Sequence, residues 1–133
     1  MSNLLRKILL VEDDEDQAVL IKRVFETRDK TIEMINVDSL ANAKGFLSTN
    51  FADLVLTDMF LPDGTGIELL QTTNQPVIMM SCSDDNRVRE NALRAGAIGY
   101  IGKASVNAFD IPELVNRSFV DWKLKQPLYQ PTV

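Results

Sequence analysis

The sequence predicts an α/β domain of three layers, a five-stranded parallel sheet covered on both faces by five helices in a (βα)5 order. Three observations carry this. The run Lys7 to Val11, apolar from Ile8 onwards, and the runs Leu54 to Leu56 and Val77 to Met80 are short and without polar alternation. A strand apolar at successive positions, not alternate ones, is covered on both faces, as strands of parallel sheets are. Apolar residues at helical spacing separate these runs, and strand and helix patterns alternate five times along the chain. Such alternation favours parallel pairing through right-handed crossovers. At 133 residues the chain has the size of one domain.

The elements follow in order. The first strand runs straight into five acidic residues, Glu12 to Asp16. Ala18, Leu20, Ile21, Val24 and Phe25 then recur at helical spacing. Ile32 to Val37 alternates and reads as a weaker strand. Ser39 is placed to cap a helix holding Leu40, Ala43 and Leu47. After the third strand, Leu61-Pro62-Asp63-Gly64 is turn chemistry, and Gly66 to Thr73 holds a short helix with Ile67, Leu69 and Leu70. Gly64 and Gly66 read as turn and helix-start glycines. After the fourth strand, Asn86 to Ala95 is helical through Val88, Ala92 and Leu93, and Gly96 suits its C-terminal cap. Ile98 to Ile101 is the fifth strand. Asp110-Ile111-Pro112-Glu113 has the form of a capping box opening a helix through Leu114, Val115, Phe119 and Trp122. Residues 1–125 are expected to form the domain, and 126–133, with two prolines, an irregular tail or linker stub.

Composition narrows the function. The chain is 45% hydrophobic and 25% charged, with a net charge of −5. An acidic chain without a basic stripe is a poor partner for nucleic acid. Its apolar runs fall far short of the ~20 residues that span a bilayer, and no apolar signal core follows Met1. The single cysteine, Cys82, excludes an internal disulfide and suits the cytoplasm; it reads as a buried, inert thiol. There is no histidine, which removes Ser-His-Asp and Cys-His nucleophile systems and His-ligated zinc.

What remains is carboxylate, hydroxyl and lysine chemistry. Ligands of an open parallel sheet bind beyond the C-terminal ends of its strands. Glu12, Asp13 and Asp14 follow the first strand, Thr57 and Asp58 the third, Ser81 the fourth and Lys103 the fifth. If the first and third strands are neighbours, three aspartates meet at one edge. Clustered carboxylates of this kind are compensated by a hard divalent cation, here Mg²⁺. A cation faced by one lysine and one hydroxyl suits a phosphoryl group, whose charge is spread over its oxygens. Asp58 is the natural nucleophile, since carboxylates form aspartyl phosphates. The bland alternatives are helix-capping acids, a role that suits Glu15 and Asp16.

The combination resembles the response-regulator receiver domain of two-component signalling, a flavodoxin-like fold. The matching segments are Glu12-Asp13-Asp14, Leu54 to Gly66, Pro76 to Ser81 and Ala92 to Lys103, and the likeness covers residues 5 to about 124. It implies a sheet order of 2-1-3-4-5 and Asp58 as phosphoacceptor. By the same resemblance Asp13 and Asp14 hold Mg²⁺ with the Asp58 carboxylate and the backbone carbonyl of Phe60. Lys103 contacts the phosphoryl group, Ser81 is the hydroxyl that moves towards it, and the Tyr100 rotamer follows. The resemblance further implies a histidine kinase or histidine phosphotransfer protein as donor, and a changed face on the fourth helix, fifth strand and fifth helix as output. That makes the domain a switch acting on itself, not a metabolic enzyme, as a monomer or a phosphorylation-linked homodimer.

One departure stands out. Ala104 follows the lysine where the family usually has a cis proline. A non-proline cis bond costs about 3–4 kcal/mol, so either the site bears that cost or the bond is trans. Phe60 beside the acceptor, with the small Ser83 beyond Ser81, leads to an expectation of slow self-dephosphorylation. The alternatives are a pseudo-receiver that binds partners without phosphorylation, and a haloacid-dehalogenase-like phosphohydrolase. The latter needs a second acid two residues after its nucleophile, where Phe60 stands. A flavodoxin-type cofactor binder would need a phosphate loop where Glu12 to Asp16 repels phosphate.

Overall fold

The computed structural model describes residues 5–83 and 85–126. The tail expected beyond Lys125 lies, from position 127 onwards, outside the described residues. The main sheet is built from β1 (Lys7–Val11), β2 (Glu33–Val37), β3 (Leu54–Asp58), β6 (Val77–Ser81) and β7 (Gly99–Gly102). All four pairings are parallel, and the order is β2-β1-β3-β6-β7. That is the expected 2-1-3-4-5 once the two-residue strands β4 (Phe60–Leu61) and β5 (Gly64–Thr65), a small antiparallel hairpin, are set aside.

Side-chain alternation divides the core between two faces. Ile8, Leu10, Leu54, Leu56, Ile78, Met80 and Ile101 face α1 (Glu15–Arg28) and α5 (Ile111–Lys125). Leu9, Val11, Val55, Val77 and Met79 face α2 (Leu40–Thr49), α3 (Ile67–Leu70) and α4 (Asn86–Arg94). All residues of β3 and β6 are buried, which is why these central strands lack polar alternation.

Local chemistry explains most boundaries. Ser39 Oγ accepts the Asn42 amide at 3.1 Å and starts α2. Gly96, at φ +117°, follows the end of α4. Three expectations are corrected. The Asp110 capping box does not form. A 3-10 turn, Ala108–Asp110, runs directly into α5, so Asp110 already has helical angles and makes no side-chain cap bond. Asn107 caps that turn instead, its Oδ1 accepting the Phe109 amide at 2.9 Å. Helix α3 stops at Leu70 and does not reach Thr73; the Thr72 hydroxyl bonds back to the Leu69 carbonyl and competes with helix continuation. Leu20, placed at helical spacing, is 47% exposed beside the equally exposed Val19.

Candidate functional site

The alternation that builds the core also builds the site. Glu12 stands two residues beyond Leu10, Asp58 two beyond Leu56 and Lys103 two beyond Ile101, so all three continue the α1/α5 face past the apolar stretch of their strands. Pairing Val11 with Thr57 and Asp58 with Met80 brings these strand ends level. Glu12 is 2% exposed and Asp58 8% exposed, so two carboxylates are buried side by side. Lys103 is the compensation. Its Nζ lies 2.7 Å from Glu12 Oε1 and 2.5 Å from Asp58 Oδ1, and donates also to Gln17 Oε1.

The pairing is incomplete. Asp58 Oδ1 is buried and finds no partner beyond the Lys103 ammonium, which pairs with it at 2.5 Å and is shared with Glu12. Burial and then the neighbouring Glu12 push the Asp58 carboxyl up to about 7, against the pull of Lys103. Burial alone would lower the Lys103 pKa, but Asp58 and Glu12 together raise it, so the ammonium stays charged. An ionised Asp58 together with Glu12 therefore outweighs the one ammonium between them and leaves an excess of negative charge in the cluster.

Carboxylate oxygens of Glu12, Asp13 and Asp58 lie within 4.8 Å of one another. Hard oxygens at this spacing, with a buried and unsatisfied acceptor among them, fit a divalent cation such as Mg²⁺. They open on a cleft of about 310 Å³ lined by Asp13, Asp14, Asp58, Phe60, Ser81 and Lys103, with Glu12, Gln17, Met80, Cys82 and Ser83. Asp14 has a second duty. Its Oδ1 accepts the amides of Asp16 and Gln17 at 2.9 and 3.1 Å as the N-cap of α1. Glu15 and Asp16 occupy the first turn of that helix, as expected of capping acids. Gly66 is required by close approach: a Cβ there would stand 2.7 Å from the Asp58 carbonyl.

The other face holds Ser81 and Tyr100. Ser81 Oγ accepts the Ser83 amide at 3.1 Å, which leaves its hydroxyl proton free to donate into the cleft. The Tyr100 hydroxyl donates to the Ser83 carbonyl at 3.3 Å, and the Arg89 guanidinium lies 5.8 Å from the ring centre. Ser83 thus joins the two residues. Among the described residues no peptide bond is cis, so Lys103–Ala104 is trans. Cys82 is exposed, contrary to expectation, because it follows the last residue of β6 at the rim of the cleft. The sequence places Glu12 in the acidic cluster but does not show that it and Gln17 pair with Lys103. Glu12 was detectable, as the one acidic residue that continues the inward alternation of β1; Gln17 carried no signal.

The family model of the response regulator receiver domain matches residues 8–117. The chain belongs to this family. Receiver domains are signalling modules of two-component systems, not metabolic enzymes, and bind Mg²⁺ at an acidic pocket. The swarming motility regulation protein RssB of Serratia marcescens is 32% identical over 115 residues, 83% of this chain and 50% of that protein. The phosphate regulon regulator PhoB of Escherichia coli is 32% identical over 120 residues, covering 84% of this chain and 49% of PhoB. The chain spans about half the length of these relatives, and 28% of the methanogenesis regulatory protein FilR1 of Methanothrix harundinacea, to which it is 25% identical. A receiver domain from Methanospirillum hungatei superposes with TM-score 0.78 at 26% identity, covering 92% of this chain and all of that one. The receiver domain of a Vibrio parahaemolyticus Luxo repressor protein gives 0.79 at 25% identity, covering 92% and 95%. No helix among the described residues is long and apolar enough to cross a membrane.

Proposed function

We propose that this receiver domain is a phosphorylation-dependent switch in which Asp58 takes a phosphoryl group from a histidine kinase or histidine phosphotransfer protein. The observation that carries this reading is the buried Asp58 Oδ1, without a hydrogen bond, beside Lys103 at 2.5 Å. A strand-end carboxylate of purely structural use would have its oxygens satisfied. Asp58 attacks phosphorus, and the bond to the donor imidazole breaks. Lys103 is placed to hold one phosphoryl oxygen by its ammonium, and Ser81 to donate its free proton to another. Asp13, Asp14, the Asp58 carboxylate and the Phe60 carbonyl are the groups to hold Mg²⁺. When bound, the cation supplies the positive charge that keeps Asp58 ionised and balances the incoming phosphoryl oxygens.

The output follows from Ser83. When the Ser81 hydroxyl turns towards the phosphoryl group it withdraws from the Ser83 amide. The Ser83 carbonyl, and with it Tyr100, then resettles, altering the face made by α4, β7 and α5. Phe60, 58% exposed and lining the cleft, shields the phosphoryl group from water and slows its hydrolysis.

The test is incubation with acetyl phosphate, with and without Mg²⁺, followed by intact mass measurement. The expected result is a single phosphate adduct that requires Mg²⁺, is absent in Asp58→Asn and decays over minutes or longer. Absence of any adduct, with Mg²⁺ binding intact, favours a domain that binds partners without phosphorylation. A lifetime of seconds would remove the shielding role of Phe60.

A further inference from the structure

The chain leaving Asp58 folds back as the β4–β5 hairpin, and its turn residue Asp63 reaches across to another element. Asp63 Oδ1 accepts the Leu40 amide at 2.9 Å and Oδ2 accepts the Ala41 amide at 3.0 Å. These are the opening amides of α2, and they hold the Asp63 carboxyl below the usual carboxylate range. Ser39 takes only the Asn42 amide, so the Leu40 and Ala41 amides are met from outside the helix by Asp63. What Asp63 adds is a tie between α2 and the hairpin. Packing follows the same line. Leu40 and Leu61 share one apolar cluster, and a Cβ on Gly64 would stand 2.7 Å from Leu40 Cδ1. Lys44 of α2 also meets Glu68 of α3 at 3.2 Å. The hairpin so fixed carries Phe60 at the rim of the acidic cleft.

We propose that Asp63 is a positioning residue for the metal-binding cleft: its two bonds to the α2 amides fix the hairpin and hold the Phe60 backbone beside Asp58. The inference rests on the reading above, in which the Phe60 carbonyl and the neighbouring carboxylates hold Mg²⁺. Residues that orient metal ligands typically change metal affinity by about 10–100-fold when removed.

The experiment is a calorimetric Mg²⁺ titration of the full chain, the wild type beside Asp63→Ala, Asp63→Asn and Ser39→Ala, with Tm measured for each. Asp63→Ala weakens Mg²⁺ by about tenfold, and Asp63→Asn, which keeps one acceptor oxygen, falls between. Ser39→Ala removes a cap from the same helix and leaves the hairpin tie intact. It lowers Tm as well, but leaves Mg²⁺ affinity within about twofold. Adduct formation from acetyl phosphate slows in Asp63→Ala at low Mg²⁺ and recovers at saturating Mg²⁺. Unchanged Mg²⁺ affinity in Asp63→Ala, or an equal loss in Ser39→Ala, overturns the proposal and leaves the phosphoacceptor reading standing. A wild type that binds no Mg²⁺ overturns both, and this shows before any variant is compared.

Discussion

Asp58 is held in its buried position at a cost to the folded state, because burial and the facing Glu12 raise its carboxyl to about 7. A carboxyl raised on folding binds its proton more tightly in the native state. Its stabilising contribution is full below the unfolded value of 3.8 and is lost as pH rises towards about 7. Asp58→Asn carries no such charge. Without Mg²⁺ the variant should gain stability over wild type as pH rises across that window. The gain should reach about 1–2 kcal/mol near neutrality, below the full linkage because the cleft admits water. Urea unfolding of both proteins at acid and neutral pH measures this; a difference independent of pH would mean that Asp58 titrates normally. At this scale the meeting of Asp58, Ser81 and Lys103 at one cleft was legible, because each follows an apolar strand and the ends of neighbouring parallel strands lie side by side. The pairing of Glu12 with Lys103 was passed over because Glu12 stands in a run of five acids, only one of which points inward with Leu10. The exposure of Cys82 was hidden for the opposite reason. One residue past the end of a buried strand the chain leaves the core, and sequence marks that point only to within a residue or two.

Elements were readable where their ends are made by local chemistry and misread where a neighbour intervened. Ser39 starts α2 and Gly96 ends α4 through their own backbone neighbourhood, and both behave as the sequence suggests. Asp110 has an ordinary capping sequence, but it is the last residue of the 3-10 turn that runs into α5, so its backbone is already helical and its side chain does not cap. Leu20 fits the helical period of α1 yet stays exposed, because Ala18, Ile21, Val24 and Phe25 already fill the stripe against the sheet. Asp14 is the element-scale case with a functional edge, since it caps α1 and lines the cleft at once. The two duties separate by substitution. Serine caps about as well as aspartate but carries no charge, whereas alanine does neither. Asp14→Ser should keep stability within about 0.5 kcal/mol of wild type and weaken Mg²⁺ binding. Asp14→Ala should lose about 1 kcal/mol as well. Chemical denaturation and Mg²⁺ titration of the pair decide it: if Asp14→Ser binds Mg²⁺ like wild type, Asp14 is a cap alone.

For the whole molecule, the acidic cleft and the stability of the fold are one thermodynamic system. A cation that binds the native chain and not the unfolded one stabilises it by about 2.7 kcal/mol at one hundred times its Kd. The carboxylates proposed to hold it converge only in the folded sheet, since Asp13 follows β1 while Asp58 ends β3. If Asp58 holds the cation as proposed, proton and cation compete for it. With its carboxyl near 7 in the absence of metal, each unit of pH below that point should cut apparent Mg²⁺ affinity by up to about tenfold. Added Mg²⁺ should therefore raise Tm clearly at pH about 8 and only slightly at pH about 5.5. The sign is opposite to that of the metal-free protein, whose Asp58 makes it less stable as pH rises, so the two stability profiles converge at acid pH and separate above neutrality. In Asp58→Asn the metal-dependent gap should shrink and lose most of its pH dependence, because the carboxyl whose proton the cation would displace is gone. Thermal unfolding of both proteins across this range, with Ca²⁺ alongside as a larger cation, reads the competition directly. A Mg²⁺ gain that is flat with pH in the wild type would show that the cation binds without displacing a proton from Asp58, and would move the metal site away from that residue.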